Sequence, residues 1–90
     1  MLTPIFSTQF KKDYKLCQKR KFSMLLLFEV MKSLENERPL QPKHRNHQLK
    51  GDYKGYSECH IAPDWLLIYD IDLSKKEVYF ARTGTHSDLF

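Results

Sequence analysis

The 90-residue sequence predicts an α+β fold in two layers, with a helical hairpin laid on one face of an antiparallel sheet. Three observations predict it. Two successive segments before residue 38 carry apolar residues at helical spacing. Three strand-like runs separated by tight turns follow residue 55. A short apolar run precedes the first helix, which gives the order β-α-α-β-β-β.

Residues 2–6 form the first strand, and Pro4 assigns it to a sheet edge. Ser7 or Thr8 caps the first helix, where Phe10, Tyr14 and Cys17 at i, i+4, i+7 make an apolar stripe. Lys11, Lys15 and Lys19 line another face beside Lys12, and the Lys19-Arg20-Lys21 run suits a helix C-terminus. Ser23 caps a second helix from residue 24 to about 37. Its buried face is Met24, Leu27, Phe28, Met31 and Leu34, widened by Leu25, Leu26 and Val30, and Pro39 stops it. The short connection makes the two helices a hairpin.

Residues 39–56, PLQPKHRNHQLKGDYKGY, form a loop long enough to suggest function. A strand over 56–62 then alternates, with Ser57, Cys59 and Ile61 on one face and Tyr56, Glu58 and His60 on the other. Pro63-Asp64 turns the chain. Residues 65–73 are the most apolar strand and the expected sheet centre, buried on both faces from Trp65 to Tyr69. After Ser74-Lys75-Lys76, residues 77–83 close the meander with Val78, Phe80 and Arg82 on a common face, and the chain ends in a short turn or helix. The sheet face opposite the helices is then open. Its rim is built from the long loop, the Pro63-Asp64 turn and the tail.

The length fits one domain spanning residues 1–90, in which about 60–65% of the unfolded surface is buried. Cys17 and Cys59 fit no redox or zinc spacing and read as reduced core thiols. No leader is visible, and the run FSMLLLFEVM is about half the ~20 residues that a membrane span needs, so a cytoplasmic protein without a membrane partner is expected. Net charge is +4, unevenly spread. Residues 1–50 hold eleven Lys/Arg against four Asp/Glu, and residues 51–90 four against seven. A basic half implies a polyanion such as nucleic acid, or an acidic protein partner.

Four residues on separate elements carry potential chemistry: His47 in the loop, His60 near a strand end, Asp64 in the turn and His86 in the tail. Histidine gives or takes a proton near neutral pH. A metal-free ribonuclease needs a base for the 2′-hydroxyl, an acid for the departing 5′-oxygen and a cation for the phosphorane. Histidine, aspartate and Arg82 cover these roles. Taken singly, each has a plain structural reading as a surface, turn or capping residue, and Trp65 reads as core. No HExxH or CxxC spacing, GxSxG elbow or phosphate-cradling glycine loop occurs, so no metal and no cofactor are expected.

The stretch NHQLKGDYKGYSECHIAPDWLLIYDID followed by VYFARTGTHSDLF resembles the YafQ-type branch of the RelE/ParE toxin superfamily, and the resemblance extends over the whole chain. It implies a RelE-like sandwich and the toxin half of a type II toxin–antitoxin pair. The implied activity is that of a ribosome-dependent endoribonuclease that cuts mRNA in the A site and so blocks translation. Implied partners are a cognate antitoxin, ribosomal RNA and mRNA, with promoter DNA bound through the antitoxin. By position, His47, His60, Asp64 and His86 match the family's catalytic residues. Arg82 matches its arginine, Phe90 its terminal aromatic for stacking on a base, and Trp65 the tryptophan beside the aspartate, which the resemblance puts among the RNA-binding residues. Roles implied with it are His86 as general acid, Asp64 with His47 or His60 acting on the 2′-hydroxyl, and Arg82 on the phosphorane with Lys50 assisting. Lys11, Lys12, Lys15 and Lys19 would face ribosomal RNA. The alternative is a non-catalytic toxin of this fold that poisons a protein such as DNA gyrase.

Overall fold

The first strand, β1 (Thr3–Phe6), lies at one edge of the sheet, where Pro4 costs no ladder bond. The computed structural model describes residues 1–90. Ser7 then opens α1 (Thr8–Lys19). Its hydroxyl accepts the Phe10 amide at 2.8 Å and donates to the Ala81 carbonyl at 2.6 Å, so one side chain caps the helix and ties it to the last strand. Helix α2 (Met24–Glu35) packs beside it and ends two residues before the expected boundary, with Glu37 in the left-handed region.

The remaining strands are β2 (His47–Gln48), β3 (Ser57–Ala62), β4 (Trp65–Asp72) and β5 (Glu77–Gly84), followed by the single turn of α3 (His86–Leu89). They form a five-stranded sheet in the order β1-β5-β4-β3-β2. The expected meander β3-β4-β5 is present and antiparallel. The sheet as a whole is mixed, because β1 runs parallel to β5. The long loop also differs from expectation. It contains two 3-10 turns, Pro42–His44 and Gly51–Tyr53, and its middle adds β2 to the free edge of β3.

The main core lies between helices and sheet. Leu2, Phe10, Cys17, Leu27, Val30, Met31 and Leu34 meet Cys59, Ile61, Trp65, Leu67, Tyr69, Val78 and Phe80. Phe6 stacks on Phe10 and Phe80 with centroids 5.5 and 5.6 Å apart, and Phe10 tilts against Phe80 at 5.9 Å, which joins β1, α1 and β5. Phe28, expected inward, is half exposed, because α2 meets the sheet through Leu27, Val30, Met31 and Leu34. The opposite sheet face is only partly open. Leu66, Ile68 and Leu89 form a second small cluster there, flanked by Leu49, Tyr53, Tyr56 and Ala81.

A bulge at Ala81 overturns one placement. Tyr69 pairs with Phe80 while Ile68 pairs with Arg82, so one extra residue shifts the alternation. Arg82 therefore leaves the helix-side face of Val78 and Phe80 and stands with Ile68 on the opposite face. No helix is long and apolar enough to cross a membrane.

Candidate active site

The loop is pinned before it delivers His47. Tyr69 donates its hydroxyl to Asn46, and burial pushes that phenol up to about 12, so it stays a donor. His44 donates Nδ1–H to the His60 carbonyl at 2.7 Å. With the loop so held, His47 lies opposite Glu58 in the β2–β3 ladder. His47 Nδ1 stands 2.7 Å from the Arg45 carbonyl and must carry the proton there. Its Nε2 is 3.4 Å from Glu58 Oε1, and His60 Nε2 is 3.6 Å from the same oxygen. Glu58 is only 4% exposed, so one buried carboxylate stands between two histidines whose rings are 6.4 Å apart.

The third histidine comes from the tail. Its ring lies 5.9 Å from that of His60. Asp64 Oδ1 accepts both the His86 ring Nδ1–H, at 2.8 Å, and the His86 backbone N–H, at 3.1 Å. These bonds lower the Asp64 pKa, so the carboxylate stays ionised and leaves His86 Nε2 as the outward nitrogen. Helix α3 is held by a capping box between Thr85 and Asp88 and by Arg20, which grips both Asp88 oxygens at 2.6 and 3.1 Å. Arg20, first among these partners, brings Asp88 down to about 2. Phe90 follows, 63% exposed, with its ring 6.4 Å from His86 and edge-on to Tyr53 at 5.5 Å.

Arg82 completes the rim. Its Nε and Nη2 donate to the two oxygens of Asp13 at 2.8 and 3.1 Å, which raises its already high pKa. Tyr53, the partner of Phe90, also borders the guanidinium. His47, His60, Asp64, His86, Arg82 and Phe90 are thus joined by successive contacts through Glu58 and Tyr53.

The other expected contacts sit elsewhere. Trp65, expected at the RNA surface, is 3% exposed. Its ring lies tilted against Phe22 at 5.0 Å and its Nε1–H is donated to Thr83 at 2.9 Å, so it is packed beneath the site with no face free for a base. Lys50 is exposed and lines a shallow groove with Lys54 beyond β2. Lys11, Lys12, Lys15 and Lys19 are exposed on α1, and Lys11 and Lys15 border an apolar groove with Phe6, Tyr14 and Phe28. Sequence reasoning missed Glu58 and Asp13. The signal for Glu58 was its place two residues before His60 on one strand face. For Asp13 it was a carboxylate set between Phe10 and Cys17 in an apolar stripe. No group of three or more His, Cys, Asp or Glu side chains is spaced to hold a metal ion.

The chain resembles known proteins over nearly its whole length. The family described as "Bacterial toxin of type II toxin-antitoxin system, YafQ" matches residues 2–90. The chain is 45% identical over 86 residues to the mRNA interferase toxin YafQ of Escherichia coli K12, covering 94% of this chain and 91% of that protein. A metal-bound toxin from Helicobacter pylori superposes with a TM-score of 0.93 at 43% identity, over all of both chains. The toxin in the E. coli DinJ–YafQ complex superposes with a TM-score of 0.89 at 42% identity, over 100% of this chain and 99% of that one. On fold, sequence and extent, the chain belongs to the YafQ family of bacterial type II toxin–antitoxin toxins.

Proposed function

We propose that this protein is the toxin of a type II pair, an mRNA endoribonuclease that works in the cytoplasm on ribosome-bound message and is neutralised by a cognate antitoxin. The observation that carries this reading is the row His47–His60–His86, with neighbouring rings 6.4 and 5.9 Å apart, buttressed by Glu58 and Asp64. Its kinship with an mRNA interferase supports the same reading, as does that with a toxin solved in complex with DinJ.

His86 acts as general acid. Asp64 fixes its Nδ1 proton and stabilises the imidazolium, so Nε2 is directed toward the departing 5′-oxygen. Because Asp64 is engaged with His86, the base for the 2′-hydroxyl is His47 or His60, with Glu58 beside both. Arg82 neutralises the phosphorane, Lys50 assists, and Phe90 stacks on a base. The O5′–P bond breaks as the 2′-oxygen bonds to phosphorus, leaving a 2′,3′-cyclic phosphate and a 5′-hydroxyl. His47 and His86 are half exposed on an open face, which supports reliance on the ribosome to orient the message. The α1 lysines then contact ribosomal RNA, in a strongly salt-dependent way.

The test is primer extension on an mRNA in a reconstituted translation system, with wild type beside His86→Ala. Cuts seen only with ribosomes and lost in folded His86→Ala are expected. Translation blocked without any cut by the wild type would overturn the nuclease reading in favour of a toxin with a protein target.

A further inference from the structure

We infer that Asp13 is a positioning residue for cleavage, holding Arg82 so that one fork of its guanidinium is committed to the protein and the other is presented to the scissile phosphate. The inference rests on the proposed role of Arg82.

Asp13 is 6% exposed and stands on α1, which the Ser7 cap ties to β5 through the Ala81 carbonyl. Its carboxylate is met from three sides. Gln9 Nε2 donates to Oδ1 at 3.0 Å from one turn earlier. Thr83 donates its backbone N–H to Oδ2 at 3.2 Å, where β1 has ended and the edge of β5 away from β4 has no strand neighbour. Arg82 supplies the remaining contacts through Nε and Nη2. The oxygens therefore cannot swing, and the guanidinium plane is set by them.

An arginine has five N–H donors in two forks. Asp13 takes the side fork, Nε with Nη2. The end fork, Nη1 with the second Nη2 hydrogen, keeps the geometry that matches two phosphate oxygens. Without Asp13 the long side chain would sample many rotamers, and each productive contact would carry that ordering cost. The bulge at Ala81 supplies the other half of the arrangement. It turns Arg82 toward the catalytic face, while the adjacent β5 edge keeps it within reach of α1.

The test is the ribosome-dependent cleavage rate of Asp13→Asn, Arg82→Ala, Arg82→Lys and the Asp13→Asn/Arg82→Ala double variant, with melting temperatures measured alongside. Asp13→Asn is expected to lower the maximal rate about tenfold with little change in KM, and Arg82→Ala about a hundredfold. The double variant should be no slower than Arg82→Ala, since Asp13 acts only through the arginine. Arg82→Lys keeps the charge without the fork, so it should show most of the loss seen in Arg82→Ala even if Asp13→Asn folds poorly. An undiminished rate in Asp13→Asn, a further fall in the double variant, or wild-type cleavage by Arg82→Lys would each overturn the inference. Wild-type cleavage by Arg82→Ala would instead remove the proposed role of Arg82, and the inference with it.

Discussion

Gly84 sits where β5 passes under the tail, and replacing it with alanine tests how firmly α3 must be seated. A Cβ at residue 84 would lie 2.9 Å from Asp88 Oδ2, 3.0 Å from Asp88 Cβ and 3.4 Å from Asp88 Cγ. Two of these are closer than ordinary contact, and Asp88 Cβ cannot move unless α3 itself does. Displacing Asp88 forfeits the Thr85 amide bond to Oδ2 at 2.9 Å and the grip of Arg20. A lost cap of this kind costs about 1–2 kcal/mol, a factor of about 5–30 in the undocked population of α3. Amide hydrogen exchange of residues 85–90 should accelerate by that factor in Gly84→Ala. The sheet core should exchange as in the wild type, because the opening is local. Cleavage should fall with the docked fraction of α3, and so by less than exchange rises, since His86 and Phe90 travel with α3. Unchanged exchange at residues 85–90 together with an unchanged cleavage rate would refute the reasoning, because the tail would then not depend on the Asp88 seat.

Three further outcomes are expected. Glu58→Gln should lower cleavage about 10–100-fold, part of the roughly 10²–10⁴-fold that a positioned general acid or base supplies, and a wild-type rate measured by primer extension would exclude that role. Asp88 has a folded pKa depressed from 3.8 to about 2, so its contribution to stability is full above the higher value and disappears as pH falls toward the lower. Acid unfolding followed by circular dichroism should accordingly be flatter between about pH 4 and 2 in Asp88→Asn. Burial raises Cys17 to about 11 and Cys59 to about 12, so neither thiol should react with a thiol-disulfide reagent at pH 8 until denaturant is added.

The hairpin and the central strand could be read from the sequence because each follows from a local pattern. Ser7 before a Phe10–Cys17 stripe is a helix start, and WLLIY between a Pro-Asp turn and Asp70 is a doubly buried strand. What could not be read depends on distant partners. Nothing near Thr3–Phe6 says that it pairs in parallel with β5. A period-two pattern gives Arg82 the wrong face, because the bulge at Ala81 shifts the phase by one residue. The burial of Asp13 and Glu58 was hidden for the same reason, since each is tolerated inside only through partners elsewhere in the chain. Trp65 shows the reverse. Position beside Asp64 suggested a ligand contact, whereas its apolar strand dictated a buried ring.

The parallel pairing of β1 with β5 has a consequence for synthesis. The Ser7–Ala81 bond spans 74 residues, so the first strand and first helix emerge with no sheet to receive them. Contacts of such separation form late, because loop closure must precede them. At about 5–20 residues per second, α1 waits several seconds for β5 to be made. Asp13 and Arg82 meet only at that last step, so a nascent chain lacks an assembled cleavage site until the sheet closes.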